Sequence, residues 1–252
     1  VGGNPASFNG HIVCHDDRLF IPYKHRKPTV FSIWNDLFHP SVPFTFILNA
    51  LFHAITNPRH KYLILTKRPA RMVEFFQWME KQPCKVEIRD CFWFGLTVCN
   101  QEEMDMKGPI FMQIPGKKFF SFEPMLGPIK SAYIDGVGYD EEGNEICVPT
   151  VDAVILGGET GSGARPLHPD WVRSVRDQCS DANVPFFFKQ WGQWAAHEGG
   201  SYSPQDVYLP NDGSLLVDDP RLNVCPMERV GRKAAGRLMD GRTHDDLPWV
   251  TK

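Results

Sequence analysis

Six short apolar runs recur along the chain and constrain its fold more than any other feature. Each run is nearly continuous in apolar residues, many of them β-branched or aromatic, and the runs begin 27 to 34 residues apart. Continuous apolar character is expected of strands covered on both faces, as in a parallel sheet. The interval matches one strand–helix–strand unit of about 30 residues. The runs begin at Val30, Tyr62, Phe92, Phe119, Ala153 and Phe186.

Helix signals lie between several of these runs. A capping residue or a proline marks each predicted start, since both are favoured in the first turn of a helix. The segment from Met125 to Val151 shows no clear helix pattern, and its polar stretch 140–144 indicates a hairpin or a surface loop. The four predicted helix starts are at Ser41, Pro69, Asn100 and Pro169.

Strands alternating with helices predict the α/β class and a partial or distorted (β/α) barrel, similar to a TIM barrel, over residues 1–192. Residues 193–252 are rich in Gly, Pro, Ser and Asp in their first half. We expect them to form an irregular C-terminal extension packed on the barrel, with a short helix from Glu228 to Asp240. The chain starts at Val1 rather than at methionine. We therefore expect a barrel that is truncated at its N-terminus and that does not close completely.

Composition narrows the function classes. The formal net charge of −3 gives no global field that favours nucleic acid or membrane surfaces. No run approaches the roughly 20 apolar residues of a membrane span, and no signal peptide opens the chain, so we expect a cytoplasmic protein without a membrane partner. The seven cysteines form no Cys-x-x-Cys pair. The sequence therefore predicts reduced thiols and no metal site within this chain.

Charged and amide side chains follow the apolar runs at the points where the strands are predicted to end. In parallel α/β folds, ligands bind outside the carboxyl ends of the strands, so these side chains would converge on one mouth. The alternative is a ring of salt bridges that pairs otherwise unfavourable charges. The residues are Asp36, Lys67, Arg68, Glu123, Glu159, Lys189 and Gln190.

Three features of this mouth each allow two interpretations. The glycine-rich stretch 157–163, with Arg165 nearby, lets backbone N–H groups approach an anion, or forms a tight turn that leads the chain out of the barrel. Lys67 and Arg68 precede a helix start and favour a phosphate or carboxylate, or pair with a neighbouring carboxylate. Lys189 lies between aromatic residues and is either a desolvated, reactive amine or an ion-pair partner.

Several motifs in register resemble a known family over essentially the whole chain. The pattern is similar to a bacteriophage and prophage protein family of unknown function, the phage gp-thirty-seven-like family. The motifs that carry the resemblance are 32–39 (SIWNDLFH), 65–69 (LTKRP), 121–128 (SFEPMLGP), 157–161 (GGETG) with 164–166 (ARP), 188–192 (FKQWG) and 235–242 (AGRLMDGR).

The resemblance implies kinship with radical S-adenosylmethionine enzymes. Complete members of the family carry an N-terminal cysteine cluster of the kind that holds a four-iron cluster, whose open iron binds S-adenosylmethionine. That cluster motif does not occur in this chain, so neither cofactor site is expected to be complete here. Gly157, Gly158 and Glu159 resemble the stretch that holds the cofactor's amino group in those enzymes. They follow the fifth visible run, however, rather than the first, where Asn35 and Asp36 stand.

Their positions after the predicted strands, taken together with the resemblance, give residues of the mouth their predicted roles. Asp36, Lys67, Glu123 and Lys189 are the predicted catalytic residues, and Arg68 and Gln190 the predicted substrate contacts. Gly157, Gly158, Glu159 and Arg165 are the predicted cofactor-binding residues. The leading hypothesis is a radical S-adenosylmethionine-like core acting, in a bacterial host, on a nucleic-acid-related, phosphate-bearing or other anionic substrate. A non-catalytic ligand- or protein-binding module is the second, and a hydrolase or lyase that uses Glu123 or Glu159 directly is the third.

Overall fold

A parallel six-stranded sheet, curled into a half barrel, forms the centre of the protein. The computed structural model describes residues 11–33, 35–140, 142–196, 207–210 and 224–249. Trp34 and most of the first half of the predicted extension lie outside them. The central strands are β1 (Val30–Ile33), β2 (Lys61–Thr66), β3 (Phe92–Thr97), β4 (Lys117–Phe122), β7 (Ala153–Gly157) and β8 (Phe186–Gln190).

Strand order in the sheet follows chain order, β1-β2-β3-β4-β7-β8, and every neighbouring pair is parallel. The six predicted runs are therefore confirmed as strands, and the α/β partial barrel with them. Their carboxyl ends lie at one end of the half barrel because all six strands run in the same direction. The polar residues that follow the strands are thus brought to that end.

Helices connect the strands on the outer side of the sheet. They are α1 (Phe44–Ile55), α2 (Pro69–Met79), α3 (Gln101–Phe111) and α5 (Pro169–Asp181), and a single turn α4 (Ala132–Asp135) follows β4. The predicted starts at Pro69, Asn100 and Pro169 are confirmed. The Asn100 side chain accepts a hydrogen bond from the Glu103 N–H, so it caps α3.

The predicted cap at Ser41 is wrong. Helix α1 begins after Pro43, because the residue before a proline is driven away from helical geometry and Val42 holds that position. The Ser41 N–H instead donates to His39 Nδ1. The segment 125–151 does contain one helical turn, α4, which sequence patterning missed. Its predicted hairpin is confirmed as β5 (Val137–Tyr139) paired with β6 (Glu145–Cys147).

The predicted helix from Glu228 to Asp240 is wrong over most of its length. Its first residues belong to β11 (Val224–Arg229), which pairs antiparallel with β9 (Trp194–Ala196) and β10 (Val207–Pro210). Only α6 (Arg232–Ala235) is helical, because glycines with positive φ, Gly231 and Gly236, bound it on both sides. Sheet pairing with distant residues thus overrides the local helical pattern. The division into domains 1–192 and 193–252 stays a prediction.

Side chains alternate between the two faces of the sheet, and both faces are apolar. The outward face packs against the helices in the main core, with Phe92, Phe94, Phe120 and Phe122 fully buried. The inward face forms a second, smaller cluster in which Leu63, Trp93, Phe119 and Ala153 surround Trp249. Burial of each such large side chain stabilises the fold by roughly 1.5–3 kcal/mol. The two-sided burial explains why the strands are apolar runs rather than alternating patterns.

Edge strand β8 is covered by the chain's last described segment. The Phe188 N–H donates to His244 O at 3.0 Å, and the Asp246 N–H donates to Phe186 O at 3.3 Å. Residues 243–249, the C-terminal strap, run antiparallel to β8 here and end at Trp249. Covering an exposed edge in this way prevents pairing with other chains. No helix of the described residues is long and apolar enough to cross a membrane.

Three buried histidines are held in their neutral form. His60 Nδ1 accepts the Thr29 N–H at 3.1 Å while Nε2–H donates to Pro22 O, and His168 Nδ1 accepts the Asp170 N–H at the start of α5. Burial lowers the pKa of His60, His168 and His244 below the ordinary 6.5. Protonation at Nδ1 would break the bonds that His60 and His168 accept.

We expect the free energy of unfolding to fall as pH decreases from 7.5 to 5.5. The folded-state pKa values lie below the unfolded value near 6.5, so the unfolded chain binds more protons in this interval. Each such histidine contributes at most about 1.4 kcal/mol per pH unit. Urea unfolding at both pH values measures the loss. Substituting His168→Gln should reduce it, whereas the exposed His15→Gln should not; equal losses in both variants would contradict the assignment.

Candidate functional site

The concave side of the half barrel encloses a cavity of about 260 Å³. We call this cavity the lumen. Its walls are almost entirely apolar, from inward-facing residues of the central strands and from the C-terminal strap. The polar side chains are Ser32, Ser121, Glu123 and Lys189, and the last two are the charged ones. The apolar lining residues are Val30, Ile33, Leu63, Leu65, Phe119, Ile155, Phe187, Leu247 and Trp249.

An ion pair lies at the carboxyl-terminal end of the lumen. Lys189 Nζ lies 2.7 Å and 3.0 Å from the two carboxylate oxygens of Glu123. Glu123 follows β4, and Lys189 is the fourth residue of β8. In the sheet, β7 lies between these two strands, so the ion pair spans β7. The pair passes over Gly157 of β7, where a Cβ would lie 3.5 Å from both side chains, an ordinary van der Waals contact. The pair is half-buried, with side-chain exposures of 19% for Glu123 and 35% for Lys189.

Asp36, after β1, is held by three donors. The Thr66 hydroxyl donates to Oδ1 at 2.7 Å, the Phe38 N–H donates to the same oxygen at 3.0 Å, and the Arg68 guanidinium forms an ion pair with Oδ2. These contacts join the ends of β1 and β2. They leave Asp36 as an anchoring carboxylate and Arg68 as its partner, the arrangement that the salt-bridge alternative anticipates for this pair.

Lys67 lies exposed on the same rim and forms no ion pair with any residue that the structure describes. The positive charge of Lys67 acts on the thiol of Cys99, the second residue after β3. Burial and the neighbouring Glu103 raise the pKa of the Cys99 thiol, and the charge of Lys67 opposes them. Cys99 is therefore a neutral thiol at physiological pH. Lys67 itself is exposed to solvent at the rim.

Glu159 and Arg165 form a closed unit after β7. The guanidinium donates to both carboxylate oxygens at 2.8 Å, and the Arg165 backbone N–H adds a third bond at 2.9 Å. The hydrogen bonds from Arg165 lower the pKa of Glu159, which outweighs the opposing effect of burial. Glu159 is therefore an ionised carboxylate at neutral pH and is not a proton donor there.

The glycines of this stretch allow two backbone segments to cross in contact. A Cβ on Gly158 would lie 1.9 Å from Trp191 O, and one on Gly192 would lie 2.2 Å from Glu159 O. The Gly158 N–H donates to Gln190 O at 2.8 Å, and Gln190 Nε2 reaches Gly158 O at 3.4 Å. The N–H of Gly158 is thus already bonded within the chain. That this N–H donates a hydrogen bond to an anion stays a prediction.

The structure therefore brings the predicted residues to one end of the half barrel but separates them into pairs. Glu123 and Lys189 border the lumen; Asp36 with Arg68, and Glu159 with Arg165, lie on the rim. Which of these residues contact a substrate or a cofactor stays a prediction.

Sequence reasoning missed four residues of the site. Ser32 and Ser121 are the polar residues within apolar strands, and their positions at alternate spacing could have marked the inward face. Thr66, the partner of Asp36, carried no signal. Trp249 had none either, because an isolated tryptophan near a chain end does not indicate what it packs against.

The described residues offer no set of ligands for a metal or an iron–sulfur cluster. In these ranges of the chain, no three His, Cys, Asp or Glu side chains are grouped so that they could hold a metal ion. The cysteines within them, such as the buried Cys179 and the exposed Cys84, are dispersed among core and surface positions. The described residues therefore do not supply the ligands of a four-iron cluster.

Comparison with known proteins gives one family. A family model described as "Protein of unknown function (DUF5131)" matches residues 3–248, nearly the whole chain. No curated protein and no solved structure matches the chain.

We expect Gly158→Ala to destabilise the fold strongly, while Gly163→Ala does not. The new methyl group at 158 would overlap the Trp191 carbonyl, and a backbone atom cannot move away as a flexible side chain can. Overpacking of this kind costs about 1–3 kcal/mol or more. A Cβ at Gly163 meets nothing within 4 Å, and Ala there restricts the unfolded chain. Urea unfolding of both variants measures the difference; equal stabilities would contradict the crossing.

Proposed function

We propose that this chain, which belongs to the DUF5131 family of proteins of unknown function, binds a small organic molecule in its lumen. The charged end of that molecule would lie at the charged mouth. S-adenosylmethionine is the molecule we propose, on the resemblance of the motifs. The observation that carries the proposal is the ion pair of Glu123 with Lys189 at the top of a cavity whose described lining is otherwise apolar except for Ser32 and Ser121. Apolar pockets with a few convergent polar groups are the usual form of small-molecule sites.

The ion pair supplies complementary groups for an amino acid end. The Glu123 carboxylate would accept hydrogen bonds from a ligand ammonium, and the Lys189 ammonium would donate to a ligand carboxylate. A zwitterionic ligand can exchange partners with the pair, so no half-buried charge is left alone when it binds. Charge-assisted bonds of this kind are about twice as strong as neutral ones.

Rim cations support an anionic or nucleic-acid-related substrate. Lys67 is exposed beside the first turn of α2, whose backbone N–H groups and dipole favour negative charge. Arg68 lies next to it with its side chain 40% exposed. A phosphate group at this rim would lie outside the lumen, so the two ends of the mouth would hold different parts of the reaction complex.

Radical chemistry in this proposal rests on the resemblance of the motifs. The cofactor S-adenosylmethionine, with a cluster, would supply hydrogen abstraction; the half barrel of this chain would orient the cofactor's charged end and exclude water from the lumen. A non-catalytic binding module is the second candidate. It is favoured by the pairing of Asp36, Glu123 and Glu159, which leaves none of these three carboxylates as a free acid or base. The same pairing weighs against direct hydrolysis by Glu123 or Glu159.

We expect S-adenosylmethionine to bind the protein and Glu123→Gln and Lys189→Met each to weaken binding at least tenfold. Each change removes a charge-assisted contact to the amino acid end, and tenfold corresponds to about 1.4 kcal/mol. Isothermal titration calorimetry gives the dissociation constants. Glu87→Gln and Lys85→Met are the matched controls, because both lie in exposed pairs before β3. Absence of binding by the unaltered protein, or equal losses in the controls, would overturn the proposal.

Enzyme and binding module differ in iron content. For a radical enzyme, the protein expressed from its complete reading frame and purified without oxygen should contain about four irons per chain. Its electron paramagnetic resonance spectrum should change when S-adenosylmethionine is added. If no iron is retained after reconstitution while the ligand still binds, the protein is a binding module of the second kind.

A further inference from the structure

The lumen has a floor that comes from the C-terminal strap. The indole of Trp249 packs edge-on against Trp93 with ring centroids 4.8 Å apart, and its centroid is 5.5 Å from that of Phe119. Trp93 and Phe119 lie in the amino-terminal halves of β3 and β4. Trp249 therefore fills the half barrel at the end opposite to the ion pair, and only 6% of its surface is exposed.

The strap is fixed to the sheet before it enters the lumen. The backbone of 244–246 is bonded to β8, and the Arg237 guanidinium forms an ion pair with Asp245 while lying over the Phe187 ring. Leu247 then lines the cavity directly above this anchor. The position of Trp249 is thus set by several independent contacts, and the floor is a built part of the lumen.

The dimensions of the lumen limit what enters it. Phe119, at the level of the floor, and Glu123, at the mouth, are four residues apart along an extended chain, which corresponds to about 13 Å. The volume of about 260 Å³ exceeds the roughly 150 Å³ of an engineered cavity that binds benzene and falls below the roughly 300 Å³ of the smallest drug-sized pockets. A ring system of one or two fused cycles fits this space.

We infer that the lumen selects an uncharged ring system of one or two fused cycles, carried by a ligand whose charged end lies at Glu123 and Lys189, and that Trp249 sets the size limit. The inference rests on the proposed function in that it takes the lumen as the ligand site. It adds the class of group that is buried and the residue that determines specificity.

The test uses neutral rings, because they probe the floor without the ion pair. Indole, with two fused rings, and acridine, with three, are titrated against the protein by calorimetry and by NMR of the tryptophan indole N–H signals. We expect indole to bind the unaltered protein and acridine to bind at least tenfold more weakly. Trp249→Ala should raise acridine affinity at least tenfold because the lumen deepens by one indole.

Two further variants keep the test decisive. Trp249→Leu fills part of the space and should give an intermediate gain in acridine affinity. This variant replaces Trp249→Ala in the test if the alanine variant does not fold. Trp78→Leu is the matched control, since Trp78 packs on Phe44 and Phe75 at the outer side of the sheet, and it should leave the selectivity unchanged. Equal acridine affinity in the unaltered protein and the Trp249 variants, or no indole binding to the folded protein, overturns the inference.

The outcomes separate this inference from the proposed function. If ring selectivity depends on Trp249 but S-adenosylmethionine does not bind, the lumen takes a ring from another ligand and only the proposed cofactor is wrong. If S-adenosylmethionine binding depends on Glu123 while selectivity is the same in all Trp249 variants, the size limit is set elsewhere and only the inference fails.

Discussion

Burial of both faces of the curled parallel sheet is the constraint on which the rest of the structure depends. The outward face is covered by helices that the strand-to-strand connections supply in any case. No helix in the described part of the chain covers the inward face, and an open half barrel would leave its aromatic and aliphatic side chains in water. Trp249 removes part of that exposure. Among the described residues this cover comes from a strap at one end, and they form a cavity with a closed floor and a charged mouth.

Charge pairing determines what this mouth can do. Half-buried carboxylates and amines are unfavourable unless each has a partner, and the ends of parallel strands bring many such groups together. The sheet meets this requirement with pairs that span neighbouring or next-neighbouring strands, Asp36 with Arg68 and Glu123 with Lys189. In the first pair, Asp36 also accepts hydrogen bonds from a hydroxyl and a backbone N–H, so both of its carboxylate oxygens have partners. The second borders the lumen, and it is the pair at which we propose that the ligand binds.

Much of the fold was predictable from the sequence because its signals are local. An apolar run needs no knowledge of its neighbours to indicate a buried strand, and Pro69 or Asn100 marks a helix start through its own backbone chemistry. The prediction failed at 228–240, where the chain's choice of strand depends on β9 and β10, far away along the sequence. For the same reason, the sequence did not predict which mouth residues pair with each other. Proximity to a strand end is local, whereas the choice of partner depends on how the sheet curls.

The same distinction explains why the glycine-rich stretch left two interpretations open. Glycines after a strand indicate that something approaches the backbone closely, and an anion was one candidate. In the structure that neighbour is the chain itself, since Gly158 and Gly192 let the segments after β7 and β8 cross at backbone contact. This crossing fixes the end of β8 against β7 and with it the position of Lys189 opposite Glu123. The glycines therefore act on the site through the geometry of the ion pair, and a substitution that leaves every charge in place can still alter the mouth.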